Sequence, residues 1–268
     1  MSEIRLPEIQ RERICHLGQD TLWEDDAHDV EEAREYLLKK RRLPERILRE
    51  YRFGYMPRRV RHDWSERIIM PLYDPYGELI VLTSRKFRAT EQREYPHLHE
   101  TFNKRFYFYG FDVAKKDIMQ KGKAIVVEGQ FDTARMRAAG FKMTIGILGS
   151  AFTFEHACIL RRYCSEVYLL FDHDESGLKT LRRSMEMMDT QDITGTFGMD
   201  FIPVILPKQE DQKKIDPDAF LEERGAAEMR DVLAQAKLER KQFSYEDIDR
   251  RIEKYGISQA ANGGSGSK

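Results

Sequence analysis

Three observations predict an α/β fold, a parallel sheet layered with helices and preceded by a smaller α+β subdomain. First, KAIVVEG (123–129), MTIGILGS (143–150), EVYLLFD (166–172) and FIPVILP (201–207) are short runs, β-branched and apolar on successive positions. Such runs suit strands buried on both faces of a parallel sheet. Second, helical stretches near 131–139, 153–163 and 176–188 separate them. Strand, helix and strand in repetition mean one α/β layer with right-handed crossovers. Third, the chain before residue 121 reads differently, with helices over 30–55 and strands over 66–110.

Each element has its local reason. Tyr36, Leu37, Leu43, Ile47 and Leu48 supply apolar positions to the helices of 30–55, and Pro44 suits the first turn of the second. In RIIMPLYDPYGELIVLTSRKF (67–87), Asp74-Pro75-Tyr76-Gly77 is good chemistry for a type I turn between two strands. The expected division is an N-terminal extension (1–29), an α+β subdomain (30–121), the parallel-sheet domain (122–235), a helical segment (236–260) and a linker or tag remnant, ANGGSGSK (261–268).

Composition bounds the function. The 268 residues are 41% hydrophobic and 34% charged, with a net charge of −1. No apolar run approaches the roughly 20 residues of a membrane span, and MSEIRLPEIQRER has no signal-peptide stretch. A cytoplasmic protein without a membrane partner is expected. Cys15, Cys158 and Cys164 make neither a disulfide framework nor a four-cysteine zinc site. Residues 39–61 carry ten Lys or Arg against two Glu, interleaved with Tyr51, Phe53 and Tyr55. That segment is either a base-stacking, phosphate-binding surface or part of a small helical core with a solvated basic face.

The chemistry gathers behind the strands. In an open parallel sheet, functional groups collect beyond the carboxyl ends. Glu128 ends one strand, Asp132 lies a helical turn later, and Asp172 and Asp174 follow another strand. Asp216 and Asp218 follow the last, in KKIDPDAF. Crowded carboxylates hold protons unless a cation joins them, and hard oxygen donors suit Mg²⁺ or Mn²⁺. Two such ions stabilise attacking and leaving oxygens in phosphoryl displacement. Taken singly, an Asp-x-Asp can equally cap a helix, and an Asp-Pro-Asp can make an ordinary turn. His173 is expected to face solvent or to cap, rather than to ligate.

These motifs resemble the TOPRIM domain shared by DnaG-type primases, topoisomerases and some nucleases. The carriers are Glu128 in VVEGQFD and Asp172 and Asp174 in LLFDHDESG. The resemblance is to the RNA-polymerase domain of bacterial and phage DnaG-type primases over about 30–235. It extends to AREYLLKKRRLPERILREYRFGYMP (33–57), the hairpin 67–87, EYPHLHETFNKRFYFYG (94–110), 147–177 and DPDAFLEERG (216–225). It implies a TOPRIM-type core that makes RNA primers on a single-stranded DNA template from nucleoside triphosphates. Glu128, Asp172 and Asp174 would be catalytic. Glu128, Asp132, Asp172, Asp174, Asp216 and Asp218 would hold two or more Mg²⁺ or Mn²⁺ ions. Arg85, Lys104 and Arg105 would face template or nucleotide phosphates.

The chain departs from the family in Thr83-Ser84, where Gly-Gly often stands, and in Glu94 to Thr101, where Lys-Tyr-Leu-Asn-Ser-Pro-Glu-Thr often stands. The usual zinc module and helicase-binding domain are not evident, which implies a catalytic fragment or a short phage-type protein. A replicative helicase and a separate zinc module are the further partners implied. The alternatives are a TOPRIM nuclease and a non-catalytic single-stranded DNA-binding relative.

Overall fold

The computed structural model describes residues 5–60, 63–88, 97–149, 151–209 and 212–262. The chain divides into two compact units, residues 1–115 and 116–268.

The first unit begins with α1 (Glu8–Glu24), α2 (His28–Glu35), which runs on into a π-helical turn (Tyr36–Lys40), and α3 (Glu45–Glu50). Pro44 is the N-cap of α3 and stands just outside its first turn, with extended backbone at ψ 144°. Four antiparallel strands follow in sequential order: β1 (Gly54–Met56), β2 (Arg67–Tyr73), β3 (Leu79–Lys86) and β4 (His97–His99). The expected turn joins β2 to β3, with Gly77 N–H donating to Asp74 O at 3.1 Å and Gly77 at φ +91°. Asp74 Oδ1 accepts from Tyr76 and Glu78 N–H and so fixes the turn from within.

Helix α1, in the stretch read as an extension, lies on β1. A Cβ on Gly54 would stand 2.6 Å from the Gly18 carbonyl carbon, so only glycine allows that approach. Glu100 is 2% exposed and accepts from Leu6 N–H, Leu82 N–H and the Arg11 guanidinium at 2.8–3.0 Å. A buried carboxylate with four charge-compensating donors is satisfied, and it ties the start of the chain to the sheet.

In the basic segment, Tyr51, Phe53 and Tyr55 are 3%, 0% and 0% exposed. They are core residues and present no rings for bases to stack on. Several of the cations find partners within the unit: Arg49 lies over Trp23, Arg52 pairs with Asp112 at 2.7 Å, and Arg59 pairs with Asp25.

The chain passes between units within α4 (Phe111–Lys121). The second unit then alternates as expected: β5 (Lys123–Val127), α5 (Gln130–Ala138), β6 (Thr144–Gly146), α6 (Phe154–Leu160), β7 (Glu166–Leu170), α7 (Glu175–Thr190), α8 (Ile193–Phe197) and β8 (Asp200–Val204). Then come α9 (Pro217–Glu223), α10 (Gly225–Glu239) and α11 (Tyr245–Asn262). All pairings are parallel, in the order β6-β5-β7-β8.

Period-two alternation assigns the faces. Ile125, Val127, Tyr168, Leu170, Ile202 and Val204 join Met136, Phe220 and Met229 in one cluster, which covers one face with α5, α9 and α10. Val126, Leu169 and Phe201 point the other way and are all buried. Helix α7 buries Leu178, Leu181, Met185 and Met188, a single helical stripe. Each fully buried Leu or Met contributes about 1.5–3 kcal/mol, and this two-sided burial keeps the strand ends in register.

Candidate metal centre

The sheet brings the acids to one rim. Glu128 directly follows β5, and Gly129 then starts α5 in extended backbone, which puts Asp132 in the first helical turn. Leu148 N–H donates to Glu128 O at 3.0 Å, with Leu148 itself in the left-handed region at φ +52°. Asp172 follows β7 by two residues, and Asp174 is the N-cap of α7, its Oδ1 accepting from Gly177 N–H at 2.8 Å. Asp216 caps α9 in the same way, through Ala219 N–H at 2.8 Å, and Asp218 lies in the first turn. The capping alternative is therefore realised at Asp174 and Asp216. It engages Oδ1 of each, while Asp174 Oδ2 faces Lys214 at 3.4 Å. The helix starts that carry Asp132, Asp174 and Asp218 also favour negative charge through their unpaired N–H groups.

Two contacts knit the acids together. Asp172 N–H donates to Glu128 Oε1 at 3.3 Å. His173 N–H donates to Ile215 O at 2.8 Å, which fixes the two-aspartate loop against the segment that leads into Asp216. His173 is 5% exposed, and its Nδ1 meets Leu206 O at 2.6 Å. The ring neither faces solvent nor caps a helix. It is a structural plug, and burial holds its pKa below the ordinary value. Tyr255 of α11 donates from its hydroxyl to His173 O at 3.0 Å.

The electrostatics are those of carboxylates short of positive charge. Burial first, then the Asp172 carboxylate, pushes Glu128 up to about 7. Asp132 is pushed well above the usual range, by burial first and then by Asp172, Asp216, Asp218 and Glu128. Burial also raises Asp172, against the lowering effect of Lys214. Glu128, Asp132 and Asp172 are thus each raised by neighbouring carboxylates of the same rim. Asp172 Oδ1 is buried without a hydrogen-bond partner.

Two basic residues that sequence reasoning missed partly offset the acids. Lys214 pairs with Asp172 and Asp174, and the three carboxylates around it raise its pKa although burial opposes this. Arg135 pairs with Asp218 at 3.2 Å. Its signal was available in part, since Arg135 follows Asp132 by three residues on α5 and shares its face.

An all-oxygen donor set with an orphaned, buried carboxylate oxygen fits a hard divalent cation such as Mg²⁺ or Mn²⁺. As the side chains are placed, no group of three His, Cys, Asp or Glu among the described residues is gathered as the ligands of one ion would be. The Lys214 ammonium instead stands between the Oδ2 atoms of Asp172 and Asp174, paired with both.

The three predicted phosphate-binding residues belong to the first unit. Arg85 lies in β3, in register with Ile68 of β2. Thr83 and Ser84 before it are fully buried, with Thr83 Oγ1 donating to Met70 O at 2.6 Å. Lys104 is half-buried in a 3₁₀ turn, and desolvation lowers its pKa. Arg105 is exposed, and its N–H donates to Asn103 Oδ1 at 3.3 Å. Of the segment that departs from the family pattern, Glu94, Tyr95 and Pro96 lie outside the described residues.

Comparison with known proteins gives consistent matches. Residues 122–197 match the family model described as the Toprim domain. The chain is 26% identical over 256 residues to the DNA primase of Aquifex aeolicus (strain VF5), a match spanning 84% of this chain and 48% of that protein. It is 34% identical over 178 residues to the DNA primase of Chlamydia pneumoniae, spanning 65% of this chain and 28% of that protein. The matches thus span about half or less of the length of these relatives. In fold it is similar to the zinc-binding and RNA polymerase domains of the Aquifex aeolicus primase, with a TM-score of 0.70 at 24% identity, covering 94% of this chain and 68% of that one. It is also similar to the DnaG catalytic core, with a TM-score of 0.71 at 21% identity, covering 92% and 88%. A DnaG primase catalytic domain bound to single-stranded DNA gives a TM-score of 0.70 at 21% identity, covering 85% and 80%.

Proposed function

We infer that this chain, which shares the fold of the DnaG catalytic core and matches the Toprim family model over 122–197, synthesises RNA primers on single-stranded DNA from nucleoside triphosphates. The observation that carries the reading is the placement of Glu128, Asp132, Asp172, Asp174, Asp216 and Asp218 at strand ends and helix starts along one sheet rim, tied by Asp172 N–H to Glu128 and His173 N–H to Ile215 O. Carboxylates so crowded call for divalent cations, and phosphoryl transfer uses them.

When bound, Mg²⁺ or Mn²⁺ would polarise the α-phosphate and stabilise the pyrophosphate leaving group. Asp172 and Asp174 would hold the ions first, with Asp132, Asp216 and Asp218 completing the acidic shell. Glu128, raised to about 7, is suited to take up or orient a proton at the attacking 3′-hydroxyl near neutral pH. Arg85, Lys104 and Arg105 would neutralise template or nucleotide phosphates, Arg as a fork and Lys as a point charge.

The same reading takes residues 30–121 as the lead-in subdomain, 122–235 as the Toprim domain and 236–260 as a helical segment. A single-stranded DNA template, which the related catalytic domain binds, and nucleoside triphosphates are the proposed ligands. A replicative helicase and a zinc module are proposed partners in a cytoplasmic setting. Among the described residues, no helix is long and apolar enough to cross a membrane.

The test is ribonucleotide incorporation on a single-stranded template, both with and without a supplied primer. Extension that depends on Mg²⁺ or Mn²⁺ and is lost in Asp172→Ala supports the reading. Divalent-dependent cleavage of labelled DNA without nucleotides, and no incorporation, would replace it with hydrolysis.

A further inference from the structure

Asp172 and Asp174 already share a cation, supplied by the chain itself. The Lys214 ammonium pairs with Asp172 and stands 3.4 Å from Asp174 Oδ2. The two partners differ in freedom. The Asp172 side chain is 13% exposed, whereas that of Lys214 is 47% exposed. The backbone around the lysine is held firmly: Ile215 is 1% exposed and its carbonyl accepts from His173 N–H, while Asp216 caps α9. The residues that follow Lys214 are thus tied to the two-aspartate loop, and its half-exposed four-carbon stem is free to swing.

A divalent ion that bridged Asp172 Oδ2 and Asp174 Oδ2 would need the space the ammonium fills. Like charges a few ångströms apart repel strongly in a partly buried setting, so the two cannot share it. Leaving the aspartates with neither cation would strand a buried charge, which is costly.

We propose that Lys214 is a resident counter-ion of the metal-free site, bridging Asp172 and Asp174 until a divalent cation displaces it. Lys214 thereby sets how much cation the site requires. This rests on the reading of the acids as a metal site. It also accounts for the carboxylates not closing on a common ligand position: they are drawn to the lysine instead.

The experiment is Mn²⁺ binding to the whole chain without template or nucleotide, with free Mn²⁺ followed by electron paramagnetic resonance. Lys214→Met removes the competitor and is expected to tighten binding roughly tenfold or more, equivalent to about 1.4 kcal/mol. Lys214→Gln, which keeps a polar head without charge, is expected to tighten it as well, so the idea does not depend on one variant folding. Lys214→Arg keeps the charge and should stay within about threefold of the unaltered chain. Lys213→Met removes an equal charge from the adjacent exposed position and should also stay within about threefold.

Binding no tighter in Lys214→Met and Lys214→Gln would overturn the proposal, as would equal tightening in Lys213→Met. Mn²⁺ uptake that is lost in Asp172→Asn but indifferent to Lys214 would sink the lysine's role alone. Failure of every variant and of the unaltered chain to take up Mn²⁺ would sink the metal reading and this proposal with it.

Discussion

The backbone N–H of Asp172 donates to Oε1 of Glu128 across 44 residues of sequence, at 3.3 Å. The end of β7 therefore orients the acid at the end of β5. Because a backbone donor holds that oxygen, Glu128→Gln can keep the contact through its amide oxygen while losing the charge. Its primer extension is expected to fall about 100-fold or more, the order expected for loss of a proton-handling group. The melting midpoint is expected to hold or rise, since a buried like charge has gone. Steady-state incorporation and a thermal melt on one preparation check both. Wild-type rates in Glu128→Gln would remove it from the chemistry.

The raised carboxyls make a pH prediction with a definite sign. Burial and the Asp172 carboxylate push Glu128 up to about 7 in the fold, against an ordinary value of 4.5. Across that window the folded state binds more protons than the unfolded chain, so stability falls as pH rises. Asp132 and Asp172 are shifted in the same sense. At about 1.4 kcal/mol per unit, Glu128 alone accounts for up to about 3 kcal/mol between low and neutral pH. Melts in EDTA should show a declining midpoint over that range, flatter in Glu128→Gln and countered by Mn²⁺. A midpoint that climbs with pH in EDTA would contradict the assignment.

Gly177 is a packing requirement rather than a flexible point. A Cβ there would lie 2.0 Å from the Asp172 carbonyl oxygen, which is backbone and cannot rotate aside. Gly177→Ala should cost at least about 1–3 kcal/mol, the overpacking range, and displace Asp172. Chemical denaturation together with Mn²⁺ binding reads both effects. Retention of both would mean that the turn relaxes freely.

Arg135 and Asp218 pair at 3.2 Å with side chains 17% and 18% exposed. Arg135→Met leaves Asp218 beside Asp132 without that cation. The pair is part-buried, so a loss of about 1 kcal/mol is expected, the upper end for an exposed pair. If Asp218 serves as a ligand, Mn²⁺ should restore part of it, and an identical loss with and without Mn²⁺ would argue that it does not.

What was legible in the sequence follows the reach of each force. The runs KAIVV and EVYLL are buried at all but their first residue, and that burial is written locally in residue type. Turn chemistry is local too, and Asp74 to Gly77 closes as expected. Helix α1 escaped notice because its buried positions are Cys15, Gly18, Thr21 and Leu22, a stripe too small-sided to show as apolar periodicity. The order β6-β5-β7-β8 depends on crossovers that residue type does not encode. At the site, strand ends pointed to all six acids. The bridging of Lys214 to Asp172, 42 residues away, is a tertiary fact with no local mark. Tyr51, Phe53 and Tyr55 were ambiguous because aromatics serve cores and nucleic-acid surfaces alike, and burial decides between them.

Tyr255 reaches from the last helix to the His173 carbonyl at 3.0 Å, 82 positions back along the chain. The paired aspartates are thus buttressed from behind by a segment that follows the entire sheet. A version trimmed before Tyr245 would keep every acid and every strand yet lose that brace. Its aspartates would be expected to grip an ion more loosely, so the economy of a shorter chain would be felt at the acidic rim before it was felt in the fold.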